Sequence, residues 1–452
     1  MNLPNVCVIG AGCSGFTTAK RLRDHGIPYD CFEESDDVGG NWYYRNPNGR
    51  SAAYESLHID TSTTRLQFSE YPAPADWPHF PHHTLIHQYF RDYVDHFGLR
   101  DTITFNTSVI TARRQGGGDG WDVTLSTGES RSYDVLIVAN GHHWDPRVPQ
   151  YPGQFTGLTM HSHDYRSPFD PVDMRGKNII VVGMGNSGMD LASELSHRSI
   201  ANKLWVSARR GVWVLSKYRE GQPADKMMMP PWMPRKLGLR IARKKIKKML
   251  GRMSDYGLPE PDHEPLSAHP SVSPDFLVKA GSGDITCVPD IKAFEGGKVR
   301  FTDDTVVDAD VVIFATGYNM RFPFFDDPLL QPDAEHRFPL FKRMMQPGAG
   351  DLFFMGLAQS SPTIVNLAEQ QSKLVAAYLT GQYALPRTDQ MEAIIAADDQ
   401  ASLAQYYQAP RHTIQVDFGR YVRDLRREIA DGQKRAAKAG NPLPVPAVAR
   451  DR

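Results

Sequence analysis

The sequence predicts an α/β protein in which a strand, a glycine turn and a helix occur twice, the second copy inserted into or following the first. Three observations carry this expectation: VCVIGAGCSG at Val6–Gly15, KNIIVVGMGNSG at Lys177–Gly188, and two closing segments, DVLIVANG and DVVIFATG, that echo one another. Val6–Ile9 is an apolar run suited to a strand buried on both faces. Gly10, Gly12 and Gly15 follow in G-x-G-x-x-G spacing, and Phe16–Leu22 reads as the start of a helix. Gly10 permits the tight turn, Gly12 lets a pyrophosphate approach the backbone, and Gly15 lets helix pack on strand. The unpaired N–H groups and positive dipole end of that helix suit phosphates. Glu33 closes the next strand, Tyr29–Phe32, 18 residues beyond Gly15. A carboxylate there accepts hydrogen bonds from a ribose, so an adenine dinucleotide without a 2′-phosphate is expected. The plainer alternative is a glycine turn that only packs helix on strand.

Composition narrows the class. A chain of 452 residues has room for two or more domains. A formal net charge of −1 gives no electrostatic footprint for nucleic acid as a whole-molecule property. Cys7, Cys13, Cys31 and Cys287 show no C-x-x-C spacing, which suits structural thiols in a reducing compartment. No apolar run approaches the roughly 18 residues of a spanning helix, and Val6 opens a strand too early for a signal peptide. A soluble cytoplasmic protein is expected, with no metal.

After Glu33 the chain is rich in Gly, Pro and aromatics as far as Thr84 and should run over the surface of the first domain. Leu85–Phe97 has helical periodicity. Strands are expected at Ile103–Phe105, Val109–Ala112, Trp121–Leu125 and Tyr133–Ala139. The second copy has its own Gly183, Gly185 and Gly188, with Asn186, Ser187 and Asp190 opening a helix that runs through Leu195. Asp134–Gly141 matches Asp310–Gly317, and Val123 and Leu125 pair with Val299 and Phe301 at the same offset. An internal duplication of a dinucleotide-binding unit is the simplest account. The copies differ where the ribose would lie. The strand Leu204–Ala208 ends in Arg209 and Arg210, with no acid, and two guanidiniums there would attract a 2′-phosphate. One site is therefore expected to hold FAD and the other NADPH; two surface arginines at a strand end are the alternative. The expected division is 1–150 for the first part of an FAD domain, 151–308 for an NADPH domain, 309–430 for the return to the FAD domain, and 431–452 for a disordered tail.

Between the copies lies F-x-G-x-x-x-H-x-x-x-Y, Phe155 to Tyr165 with Gly157 and His161, which resembles the signature of the flavin-containing monooxygenases. The similarity extends to CFEESDDVGGNW (Cys31–Trp42), SARRGVWV (Ser207–Val214), FATGY (Phe314–Tyr318) and LPRTDQM (Leu385–Met391). The resemblance implies two Rossmann-like domains, the NADPH domain inserted into the FAD domain. It implies that NADPH reduces FAD, that O2 adds to the reduced flavin, and that the hydroperoxide oxygenates a soft nitrogen or sulfur nucleophile while NADP+ stays bound. Gly10, Ala11, Gly12, Cys13, Ser14 and Gly15 would cradle the FAD pyrophosphate and Glu33 its ribose. Asn41 and Trp42 match positions beside the isoalloxazine. Gly183, Gly185, Asn186, Ser187, Gly188 and Asp190 would serve NADPH, Ser207, Arg209 and Arg210 its ribose phosphate, and Thr316 and Gly317 the domain junction.

Baeyer–Villiger oxygenation of ketones is the nearest rival, although Tyr165 stands where those relatives have tryptophan. An NADPH oxidase or redox sensor is a rival from another class. A disulfide reductase lacks its cysteine pair here. A homodimer is compatible with the sequence.

Two departures from the family stand out. Six residues after Tyr54 the family has an asparagine beside the flavin; this chain has Asp60, in HIDTS. Either burial protonates Asp60, or Thr61 supplies the hydrogen bond, or the register shifts by one. The plainer alternative is an exposed turn aspartate capping Ser62. The second departure is an insertion from Lys217 to about Ser282. Within it, Arg235–Met253 contains nine Lys or Arg and no acid, with Leu239, Ala242, Ile246, Met249, Leu250 and Met253 expected on one helical face. That face is expected to pack on its own protein, with contact to an anionic membrane as the alternative.

Overall fold

The computed structural model describes residues 3–116, 120–226, 233–268, 271–361, 363–406 and 413–445. Residues 227–232 and 269–270 of the insertion and 446–452 of the tail lie outside them. The chain forms two compact units, one of residues 1–51, 63–143 and 320–452, the other of 52–62 and 144–319.

The first unit holds a five-stranded parallel sheet in the order Leu352–Phe354, Val135–Val138, Val6–Ile9, Tyr29–Phe32, Ile103–Thr104. Val6–Ile9 and Val135–Val138 are buried throughout, as strands covered on both faces must be. The helix Cys13–Asp24 follows the glycine turn. His83–His96 buries Ile86, Tyr89, Phe90, Tyr93 and Val94 at helical spacing, and Phe90 meets Phe16 of the first helix edge-on at 5.4 Å between ring centroids.

The second unit repeats the plan in the order Leu158–His161, Val311–Phe314, Asn178–Val182, Lys203–Ser207, Thr286–Val288, again all parallel. In both sheets the strand that leads into a glycine turn lies between its closing strand and the parallel strand that follows the helix. Each unit also carries an antiparallel three-strand meander, Val109–Arg114 to Tyr133 in one and Ile291–Gly296 to Asp308 in the other.

Several boundaries differ from the sequence expectation. Val311–Phe314 was expected to begin the return to the first domain; it pairs instead with Asn178–Val182 in the second sheet, and the return begins at Met320. The first part of the first unit ends at His143 rather than 150. The loop after Glu33 does not stay with the first domain, because Ala52–Ser62 belongs to the second unit. The segment from 431 is not a disordered tail at its start: the helix Phe418–Lys438 runs through it, burying Gly432 and Ala436.

The basic segment forms the helix Arg235–Leu250. Ile246, Leu250 and the following Met253 join the core of the second unit. Met249, expected on that face, is 46% exposed. It precedes Leu250 by one residue and so points about 100° away around the helix.

Candidate functional site

The first glycine loop is shaped for close approach. Gly10 has φ +97°, and a Cβ there would lie 2.8 Å from the Ala139 carbonyl oxygen. A Cβ at Gly15 would sit 1.8 Å from the Gly10 carbonyl oxygen, so helix and strand meet at a distance only glycine allows. Gly12 is the N-cap of Cys13–Asp24 and no side chain caps that helix, which leaves its first N–H groups for a ligand. Ser14 is buried, and burial pushes the Cys13 thiol up to about 11, so Cys13 is no nucleophile.

Glu33 binds the loop itself. Its Oε2 accepts the Ala11 N–H at 2.6 Å and its Oε1 accepts the Ser35 N–H at 2.9 Å. Burial raises its pKa, and these two N–H groups oppose that rise. Each oxygen keeps a lone pair for a ribose hydroxyl. Gly39, at φ +119°, donates to the Ala11 carbonyl at 3.3 Å, which brings the turn Gly40–Trp42 with Asn41 beside the same loop.

The second loop has the same build and a different rim. Gly183 has φ +113°, and its Cβ would lie 2.5 Å from the Ala315 carbonyl oxygen; one at Gly188 would lie 2.3 Å from that of Gly183. Gly185 caps Asn186–Leu195 with no side-chain help. Ile9 pairs with Phe32 and Val182 with Ser207, so the residue equivalent to Glu33 is Ala208. No acid stands at the equivalent position of the second loop. Arg209 follows at the exposed rim. Arg210 is less available, with its Nε 3.1 Å from Asp262 Oδ2. Ser207 donates to the Pro289 carbonyl at 2.9 Å, and Asn186 Oδ1 accepts the Val272 N–H at 2.9 Å, so both brace the loop. Ser187 is exposed at the helix start. Thr316 holds the Arg147 backbone carbonyl, while the Arg147 guanidinium donates to the Thr316 carbonyl at 2.9 Å.

Asp190 faces elsewhere than expected. Its Oδ2 accepts the Tyr54 hydroxyl at 2.6 Å, which fastens the 52–62 segment onto the second unit. Burial, with Asp60 adding repulsion, pushes the Asp190 carboxyl up to about 7. In the same segment the Asp60 side chain is 25% exposed, and its Oδ1 forms an ion pair with Lys217 Nζ at 3.1 Å. Burial raises the Asp60 pKa and Lys217 pulls it back. The capping alternative is corrected here, since the Ser62 N–H goes to Asp225 Oδ2 at 2.7 Å. Thr61 is buried. Asp60 and Thr61 thus belong to the second unit, and Asn41, Trp42 and Glu33 to the first.

The sequence matches the family described as FMO-like, flavin-binding monooxygenase-like, over residues 4–435. The chain belongs to this family. This flavin-binding monooxygenase is 34% identical over 448 residues to flavin-containing monooxygenase 5 of Rattus norvegicus, with 94% of this chain and 82% of that one covered. It is 33% identical over 447 residues to dimethylaniline monooxygenase [N-oxide-forming] 2 of Rattus norvegicus, with the same coverage. Its fold matches that of S-allyl-L-cysteine S-oxygenase from Allium sativum with a TM-score of 0.69 at 24% identity, covering 97% and 92% of the two chains.

Sequence reasoning missed three residues of this monooxygenase. Lys217 was read only as the start of an insertion, yet it neutralises Asp60; a lone lysine 157 residues downstream carries no local signal. Tyr54 served as a register mark and turns out to anchor Asp190. Arg147 lay in an apparent connector, and its guanidinium is destabilised by burial first and by neighbouring Arg209 second. Two cations drawn together are what an anionic ligand would reward.

The signature histidine is buried, and burial with His163 beside it brings its pKa down to about 4. An unfolded chain binds that proton near pH 6.5, so folding stability should fall as pH drops from about 6.5 to about 4. Acid unfolding of His161→Gln should be shallower over that window, and an unchanged curve would remove the assignment. Tyr54→Phe leaves a buried Asp190 oxygen short of a donor, costing about 1–3 kcal/mol, and should lower the thermal midpoint by several degrees.

Proposed function

We propose that this monooxygenase uses NADPH and O2 to oxygenate a nitrogen or sulfur nucleophile of a small molecule in the cytoplasm. The observation that carries the reading is the asymmetry of twin loops: Glu33 at one ribose position, Ala208 followed by Arg209 at the other. The loops fit their ligands because each is a cradle that a Cβ would fill and each opens on an uncapped helix start. Bound flavin supplies the redox chemistry, and the balance is substrate, NADPH, H+ and O2 giving oxygenated substrate, NADP+ and water.

The chain's own residues bind and orient. Gly10–Gly15 and Glu33 hold FAD; Gly183–Gly188, Arg209 and Arg147 hold NADPH. Asn41 and Trp42 serve the flavin, and Asp60, with Thr61, holds a proton for the reaction. Desolvation favours neutral Asp60, which donates a hydrogen bond as an asparagine amide would; the Lys217 ammonium limits that preference. The four cysteines lack C-x-x-C spacing and burial raises the pKa of every thiol, so none is poised as a redox dithiol that would compete for the electrons.

The purified protein should carry FAD and oxidise NADPH. Product analysis with one sulfide, one tertiary amine and one cyclic ketone tests the substrate class. Sulfoxide and N-oxide are the expected products. A lactone as main product would establish the Baeyer–Villiger rival instead, and hydrogen peroxide alone the oxidase.

A further inference from the structure

Three segments of the first unit close around a cavity of about 70 Å³. They are the turn at Lys342 and Arg343, the last turns of the helix Thr388–Gln405, and the strand Gln415–Asp417 with the start of the helix Phe418–Lys438. A space of that size holds about five waters, or a molecule of about that many non-hydrogen atoms.

The walls hold polar groups that the protein itself leaves unused. Gln415 is 3% exposed, and its Oε1 has no hydrogen-bond partner among the described residues. A buried acceptor in that state is costly unless a ligand or water meets it. The Lys342 side chain is 11% exposed, and among the described residues its Nζ has one ion-pair partner, Asp398 Oδ2 at 3.7 Å, beyond hydrogen-bond length. The backbone is committed to this placement of Lys342. Its φ is +50° and that of Arg343 +57°, a region that side-chain-bearing residues seldom adopt. The Tyr421 hydroxyl donates to the Lys342 carbonyl at 2.7 Å and accepts from Gln371 Nε2 at 2.9 Å, which fixes the turn. The other two cations are engaged already, Arg343 with Asp399 at 3.1 Å and Arg420 with Asp424 at 3.4 Å.

We propose that this cavity binds a small zwitterion of the amino-acid type, its carboxylate on Lys342 Nζ and its ammonium between Gln415 Oε1 and Asp398. The charge balance selects that class. Lys342, Arg343 and Arg420 line the cavity as cations, and Asp398, Asp417 and Asp424 line it as anions. Phosphate or another net anion would meet as many carboxylates as cations, and a bare cation would meet the ammonium and guanidiniums. A ligand with both signs a few bonds apart is complementary to both. The ammonium is also favoured by the negative end of the helix Thr388–Gln405, whose last turn brings Ser402 and Gln405 to the cavity. The volume admits glycine or alanine and excludes an aromatic amino acid.

The test is isothermal titration of the FAD-loaded full chain with glycine and with L-alanine, set against acetate, methylammonium, inorganic phosphate and L-tryptophan. Saturable heat is expected with glycine and alanine, and none with the probes of single charge or with tryptophan. Lys342→Met should weaken glycine binding roughly tenfold or more, for the loss of a charge-assisted hydrogen bond, and Gln415→Leu should weaken it by a similar factor. Ser402→Leu fills the cavity from the helix side without removing a charge. It should abolish binding, and it decides the matter if Lys342→Met fails to fold. Every variant that folds should keep bound flavin and NADPH oxidation, since none of these residues serves either glycine loop. No saturable heat with either amino acid would overturn the proposal and leave water as the occupant. Phosphate, acetate or methylammonium binding as tightly as glycine would also overturn it, as would unchanged glycine affinity in Ser402→Leu or in folded Lys342→Met.

Discussion

Arg209→Ala should raise the KM for NADPH roughly 10- to 100-fold and leave that for NADH within about twofold. The range follows from losing one charge-assisted hydrogen bond, worth about 1.5–3 kcal/mol. Arg209 is the right target because it follows Ala208, the register equivalent of Glu33, and because Arg210 already pairs with Asp262. Arg210→Ala should accordingly matter less. Ala208→Asp restores an acid at the ribose position and should shift preference toward NADH, since a carboxylate there repels a 2′-phosphate and accepts from a 2′-hydroxyl. Steady-state kinetics with both coenzymes decides it: equal losses with NADPH and NADH in Arg209→Ala would remove the phosphate-clamp assignment.

The second large effect is on coupling, the product formed per NADPH consumed. With neutral Asp60 as the useful form, coupling in the wild type should fall as pH rises through its pKa. That pKa lies above the usual carboxylate range because burial outweighs Lys217. Asp60→Asn should make the profile flat and high. Asp60→Ala should cut coupling about tenfold at every pH, with the missing electrons recovered as hydrogen peroxide. Lys217→Met removes the cation that favours the charged form and should move the fall to higher pH. Asp190, pushed up to about 7 by burial and its Asp60 neighbour, is a second raised carboxyl beside it, so Asp190→Asn is the control that separates the two. Identical profiles for wild type and Asp60→Asn would end the proposal.

Local patterns made much of this legible. The glycine loops, their buried strands and the closing strands are short-range signals, and the duplicated order of Val135–Val138 and Val311–Phe314 could be read as an echo before either was seen beside its loop. Glu33 and Arg209 were readable for the same reason, because the end of the second strand is a fixed distance from the loop. Contacts far apart in sequence were not. Nothing near Ala52–Ser62 says that it joins the second unit; that follows from Tyr54 reaching Asp190, 136 residues away, and Asp60 meeting Lys217. Domain ends shifted because Val311–Phe314 is apolar enough for either sheet and only pairing assigns it. The tail failed on composition: Lys434 and Lys438 face solvent, while Gly432 and Ala436 continue the buried side of the helix that Tyr421, Val422 and Leu425 begin.

Oxygen transfer itself is tested most directly with 18O2 in a closed vessel containing the enzyme, NADPH and an alkyl aryl sulfide or a tertiary amine. Mass spectrometry of the product should show one 18O atom in each sulfoxide or N-oxide molecule, with product approaching one per NADPH oxidised. Product without label, or NADPH consumed with all the label in hydrogen peroxide, would contradict the account.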